Sequence, residues 1–330
     1  MSEHDALALL TREDAGAHHP RAGIAAIGTA LPDGVVSSER IAARLGVDRE
    51  WVTSRTGVLE RRHAAPGVTL AEIGAEAAAS ALANAGLDAG DVDLILVATS
   101  TADDRVPNAA PLIAERLGAV NAGAIDVGAA CTGFLSALEL AAGAIESGRA
   151  ELVVVIGAEL MSRVLDLDDP RTAGLFGDGA GAAVVVPGGA ARIGAVRLFA
   201  DGTGARAVTA SQTENLVRMD GRATFRAAVR HLAEVSLEVV ADAGLELDEI
   251  DLFVYHQANG RILSAVGDRL GLPSERVVDS IATHGNTSAA SIPLALAAAL
   301  ADGRIEPGSR ILLGAFGAGF TWGGAILEWS

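Results

Sequence analysis

The sequence predicts an α/β fold made of two pseudo-duplicated halves. Three observations carry this expectation: one pattern occurs twice, short β-rich runs alternate with helical ones, and the composition suits close packing. Half of the 330 residues are hydrophobic, only 3% are aromatic, and 39 are glycine. Ala, Val, Leu and Ile must therefore build the core, with glycine letting backbones approach one another.

The repeat shows first in Asn84-Ala-Gly-Leu-Asp-Ala-Gly-Asp-Val-Asp-Leu-Ile-Leu-Val97 and Asp242-Ala-Gly-Leu-Glu-Leu-Asp-Glu-Ile-Asp-Leu-Phe-Val-Tyr255. Each reads as a helix ending at a glycine (Gly86, Gly244), an acidic turn, and a strand opening at an aspartate (Asp93, Asp251). The glycines and the aspartates are the same number of residues apart. Each strand leads to a loop and a helix closing on Leu-Gly, at Leu117-Gly118 and Leu270-Gly271. A second strand follows at 123–127 and 276–280, with Asp126 and Asp279 inside them. Then come a small-residue turn and an Ala-rich helix, 133–145 and 287–301. These helices have so little polar face that both should be buried between layers. A third strand closes each unit, at 151–156 and 310–315, and such alternation indicates largely parallel sheets. Pro187-Gly188-Gly189 interrupts the pattern. The chain thus divides into an N-terminal extension (1–21), a first half (22–186) and a second half (187–330).

A formal charge of −17 argues against a nucleic-acid partner. It also requires that any anionic ligand meet a local cluster of basic side chains. One cysteine allows neither an internal disulfide nor a multi-cysteine metal site. No apolar stretch approaches the roughly 18 residues a membrane span needs. The first residues carry Glu3, Asp5, Glu13 and Asp14, unlike a signal or transit peptide. The expectation is a soluble, cytosolic chain with no membrane partner.

In a duplicated α/β fold, loops at the carboxyl ends of strands from both halves can converge on one cleft. Cys131, His256 and Asn286 all sit in such loops. Cys131, in Gly128-Ala-Ala-Cys-Thr-Gly-Phe134, falls between a strand and the first turn of a helix, where free N–H groups and the helix dipole favour a thiolate. Taken alone, a single cysteine is more often a small core residue. His256 directly follows a buried-strand pattern, and His284 competes for any role given to it. Asn286 precedes an Ala-rich helix and reads equally as a cap. The glycine-rich stretches 176–184 and 314–323 lack the G-x-G-x-x-G placement and the P-loop lysine of nucleotide sites. They suit close backbone packing, or an N–H aimed into a cleft.

With these residues on the page the chain resembles the β-ketoacyl-acyl carrier protein synthase III family, from about Ala22 to the C-terminus. The resemblance rests on six motifs in order. They are Trp51-Val-Thr-Ser-Arg-Thr-Gly-Val-Leu-Glu-Arg-Arg62, the Cys131 segment, Phe176-Gly-Asp-Gly-Ala-Gly-Ala182, His256-Gln-Ala-Asn259, Gly285-Asn-Thr-Ser-Ala-Ala-Ser291 and Phe316-Gly-Ala-Gly-Phe-Thr-Trp-Gly323. It implies a homodimer of thiolase-like, five-layered αβαβα subunits.

The resemblance further implies that Cys131 takes an acyl group from an acyl-CoA. His256 and Asn286 then stabilise the enolate formed when malonyl-acyl carrier protein loses CO₂, with no metal and no cofactor beyond the coenzyme A thioester substrate. The backbone N–H groups of Cys131 and Ala318 would bind the oxyanion; relatives often carry Gly at the latter position. Trp51 would stack on adenine, and Arg55 and Arg163 would bind the coenzyme. Arg222, Arg226, Arg261 and Arg269 would form the basic patch for an acidic carrier protein. Val106 would reach into the partner's acyl pocket, where a phenylalanine is common. Three other readings stand beside this one. An acyltransferase passing the group to a hydroxyl or amine is one, but such relatives often change the Asn that Asn286 keeps. A non-catalytic partner subunit would typically lose Cys131, and a hydroxymethylglutaryl synthase would need a catalytic glutamate that these motifs lack.

Overall fold

The computed structural model describes residues 21–211 and 213–330, so the N-terminal extension expected at 1–21 lies almost wholly outside the described residues. The first half opens with β1 (Ala22–Ala30), β2 (Val35–Ser37), α1 (Ser38–Leu45), α2 (Arg49–Thr56) and β3 (Glu60–Arg62). It continues through α3 (Leu70–Ala85), β4 (Leu94–Ala98), α4 (Ala109–Leu117), β5 (Gly123–Val127), α5 (Gly133–Glu146), β6 (Val153–Leu160) and β7 (Asp178–Pro187). The second half opens with β8 (Ala191–Ala200), a ribbon of β9 (Val208–Ala210) and β10 (Val217–Met219), and α6 (Gly221–Asp242). Then follow β11 (Leu252–Tyr255), α7 (Gly260–Leu270), α8 (Ile281–His284), α9 (Ser291–Ala301), β12 (Arg310–Gly317) and β13 (Thr321–Trp329).

Nine strands run in the order β11-β12-β13-β8-β1-β7-β6-β4-β5. The order on one side of the β8–β1 junction mirrors that on the other. Within each half the neighbours that match are parallel (β4 with β6, β11 with β12), and the returning strands β7 and β13 are antiparallel. Five layers result. Helices α3 and α4 cover the first half-sheet on its outer side, α6 and α7 cover the second, and α5 and α9 pack between the two.

The recurring aspartates have one physical job. Asp93 accepts from the N–H groups of Glu151 (2.7 Å) and Leu152 (3.0 Å), and Asp251 accepts from that of Arg310 (2.8 Å). Each carboxylate thus ties the start of one strand to the entry of its parallel neighbour. Gly86 and Gly244 both take left-handed φ values, 68° and 69°, as the helix-ending role requires.

Burial of the two Ala-rich helices follows from composition. Phe134, Leu135, Leu138 and Ala141 of α5 and Ile292, Ala295 and Leu296 of α9 share one core cluster with Val153, Val155 and Leu313 of the sheets. The central layer is held by small residues: a side chain at Gly157 would meet the Ala289 carbonyl at 2.3 Å.

One expected element differs. The strand at 276–280 reduces to a single bridge, Phe253 with Val277. The Gln257 side chain replaces the ladder. Its amide donates to the carbonyls of Tyr255 (2.8 Å) and Val278 (3.1 Å) and accepts from the Ser280 N–H (2.8 Å).

Candidate active site

Two turns, one from each half, meet at the floor of a cleft of about 870 Å³. Ala130 and Ser288 both adopt φ 47°, a conformation costly for a residue with a side chain. Their separation repeats that of Gly86 and Gly244. The strained turn is therefore duplicated along with the fold.

In the first half the turn presents Cys131 just before α5. The end of β12 lies hard against it: a side chain at Gly317 would stand 3.0 Å from the Cys131 N and 3.1 Å from its Cβ. The backbone N–H groups of Cys131 and Ala318 lie near Sγ and favour its charged form. The thiol contacts the Ser288 hydroxyl at 3.6 Å. Cys131 keeps some solvent contact as a residue, yet burial of its sulfur pushes the thiol up to about 11. Desolvation outweighs the N–H groups, so the resting thiol is protonated at neutral pH rather than the thiolate that its helix-start position suggests.

His256 follows β11 and is buried, 1% exposed. Its N–H donates to the Gly314 carbonyl at 2.7 Å, and its own carbonyl accepts from Ala258 N–H at 2.7 Å. Burial lowers the imidazole to about 3, so the ring is neutral and keeps one N–H to donate. Its Nδ1 has no partner among the described residues.

Asn286 is fixed on three sides. Its N–H donates to the Leu175 carbonyl (2.9 Å) and its carbonyl accepts from Gly177 N–H (3.0 Å). In the side chain, Oδ1 accepts from Ser288 N–H (2.9 Å) and Nδ2 donates to the Ala258 carbonyl (3.2 Å). Nδ2 has a second hydrogen for a ligand. Cys131, His256 and Asn286 all line the cleft, whereas His284, the competing histidine, does not.

The mouth carries Trp51, Arg55, Arg222, Arg226 and Arg261. Arg55 stacks on Trp51 with its guanidinium carbon 4.2 Å from the ring centroid. Arg163 and Arg269 do not line the cleft. Arg163 is held instead by Asp103 and the Val68 carbonyl. Arg171, which sequence reasoning missed, lines the cleft instead. Asp169 orients it through bonds of 2.9 and 2.8 Å. Val106 also lies off this chain's own cleft, 86% exposed.

Two family models match, described as 3-Oxoacyl-[acyl-carrier-protein (ACP)] synthase III over residues 125–202 and its C-terminal part over residues 240–329. The chain is 45% identical over 315 residues to Beta-ketoacyl-[acyl-carrier-protein] synthase III 2 of Streptomyces coelicolor, covering 94% of this chain and 95% of the relative. The chain belongs to the 3-oxoacyl-[acyl-carrier-protein] synthase III family. The Bordetella petrii synthase III is likewise 45% identical, with 92% and 96% covered.

Among solved structures, the Aquifex aeolicus synthase III superposes with a TM-score of 0.90 at 40% identity, covering 93% of this chain and all of that one. The priming β-ketosynthase of the R1128 polyketide pathway gives 0.90 at 37%, covering 95% and 98%. Membership of this family makes the protein a condensing acyltransferase with the thiolase fold. Among the described residues no helix is long and apolar enough to cross a membrane.

Proposed function

We propose that Cys131 accepts an acyl primer from an acyl-CoA and that His256 and Asn286 then drive its condensation with malonyl-acyl carrier protein. The convergence of these three side chains, from loops of both halves, on one cleft is the observation that carries the reading. Sγ attacks the thioester carbonyl, and the N–H groups of Cys131 and Ala318, which lie beside Sγ, bind the oxyanion. After the first thiol leaves, the malonyl thioester oxygen takes hydrogen bonds from neutral His256 and from the free N–H of Asn286. Those bonds strengthen as CO₂ departs and charge builds on the oxygen. The carbanion attacks the acyl carbonyl and expels Cys131. A neutral imidazole suits this donor role, and the low value of about 3 keeps it neutral across the working range.

The mouth supports an anionic donor and carrier. Arg55, Arg171, Arg222, Arg226 and Arg261 gather on a chain of net charge −17. The active unit is a homodimer. β5 is an edge strand of the sheet, and Ile125, Leu140 and Val106 are 53%, 54% and 86% exposed. A second copy covering that edge would bury them and bring Val106 to the partner's acyl pocket. The test is mass spectrometry after exposure to acyl-CoA: wild type gains one acyl group at Cys131 and Cys131→Ala gains none. Labelling of Cys131→Ala at another residue would refute the assignment.

A further inference from the structure

Glu159, next to last in β6, is fully buried. Its carboxyl collects the Ser100 N–H (3.2 and 3.1 Å), the Thr101 hydroxyl (2.6 Å) and, more loosely, the Thr99 hydroxyl (3.4 Å). The Ser288 hydroxyl and Ala289 N–H face it from the second half. The same Ser288 hydroxyl stands beside both groups: it contacts the Cys131 Sγ at 3.6 Å and favours the charged form of the Glu159 carboxyl.

None of the Glu159 partners is a cation. An unpaired buried carboxyl is costly, and a neutral glutamine could accept the same N–H and O–H bonds. Cys131 and His256 are the ionisable groups on the cleft floor, Glu159 lies outside the lining, and the arginines stand at the mouth. Burial raises the Glu159 carboxyl above its usual range, and its charge in turn helps raise the Cys131 thiol. Thiol and carboxyl thus compete for one negative charge, while burial leaves His256 a poor base.

We propose that Ser288 and Glu159 form a proton relay that activates Cys131, with Ser288 touching the sulfur and Glu159 acting through it as a positioning residue. The proposal rests on the reading of Cys131 as the acyl acceptor. As Sγ bonds to the thioester carbon, its proton moves to Oγ of Ser288 while the serine proton moves to Glu159. When the bond to the leaving sulfur breaks, the proton returns along the same path to that sulfur, and the donor departs as a neutral thiol. Ser288, whose Oγ contacts the sulfur, holds a strained φ of 47°.

The test pairs two readouts on wild type, Glu159→Gln, Ser288→Ala and the double variant. Rapid-quench mass spectrometry follows acetyl transfer from acetyl-CoA to Cys131. Iodoacetamide alkylation of Cys131 is followed against pH. Each single variant should slow acetyl transfer on the order of 10²-fold, the low end of a general-base contribution. The double variant should be no slower than the slower single, because either change cuts one path.

The alkylation profile of Glu159→Gln should move to lower pH, since a negative neighbour of the thiol is gone. Slower transfer beside readier alkylation is a combination that a damaged fold does not give. Wild-type transfer rates in Glu159→Gln, additive losses, or an unmoved alkylation profile would each overturn the relay. If Glu159→Gln does not fold, Ser288→Ala, which loses one oxygen, carries the kinetic test. An acyl group found off Cys131 in wild type would instead overturn the underlying assignment.

Discussion

Replacing Gly317 by alanine tests how tightly Cys131, the proposed nucleophile, is set. Gly317 has φ −144° and ψ −179°, extended backbone that any residue adopts, so the objection to a side chain is space and not strain. The new methyl would lie 3.0 Å from the Cys131 N, 3.1 Å from the Cys131 Cβ and 3.3 Å from the Thr132 N, all on the nucleophile's own turn. Ordinary contact needs several tenths of an ångström more, and backbone atoms give way only by moving the turn. A displacement of 1 Å at a reacting centre costs about 10²-fold, so a shift of roughly half that predicts a loss of about tenfold. The overpacking itself costs about 1–3 kcal/mol, which a large buried core tolerates. Single-turnover acylation of Cys131, read by rapid-quench mass spectrometry, measures the effect, and a urea melt confirms that the variant is folded. A folded Gly317→Ala that acylates at the wild-type rate would refute the claim that β12 fixes the position of Sγ.

Two further outcomes follow from side chains at the rims of the site. Arg171→Glu should raise the KM for acyl-CoA on the order of tenfold, the effect of losing one charge-assisted bond, and the loss should shrink with salt. Arg163→Gln, removed from the cleft, should leave that KM unchanged; the reverse pattern would return the coenzyme role to Arg163. Val106→Phe should shift primer preference toward acetyl against hexanoyl and octanoyl, because each buried methylene of a longer chain is worth up to about 0.8 kcal/mol. An unchanged acyl profile would remove Val106 from primer selection.

The repeat was readable because the fold solves the same problem twice with the same local chemistry. Asp93 and Asp251 accept backbone N–H groups at the entry of neighbouring strands. Gly118 and Gly271 end helices with left-handed φ, 78° and 67°. Such roles are local, so they leave residues at fixed spacing. The 276–280 strand was misread because its ladder partner is a side chain, Gln257, more than twenty residues away. Nothing in the run itself records that substitution.

The site divides the same way. Cys131 and His256 follow β5 and β11, Asn286 follows α8, and the cleft joins them. Arg163 and Arg171 flank the same loop, and the choice between them depends on the carboxylate each meets: Asp103 draws one away, Asp169 holds the other at the mouth. Glu159 did leave a signal, a carboxylate closing the apolar run Leu152-Val-Val-Val-Ile-Gly-Ala-Glu159. An acidic residue at the end of an apolar run that should be buried is a demand for partners. Its link to Ser288 and the thiol, however, exists only once the halves pack.

The separation of acyl loading from carbon–carbon bond formation is tested most directly by one paired measurement on Asn286→Ala. Acyl occupancy of Cys131 and CO₂ release from malonyl-acyl carrier protein would be read in the same sample. On the proposed roles Asn286 would hydrogen-bond the enolate and not the first oxyanion, so Cys131 should load fully while CO₂ release falls on the order of 10²–10³-fold, as on removing one oxyanion donor. Wild-type CO₂ release with ketone product, or failure to load Cys131 in a folded variant, would contradict that division of labour.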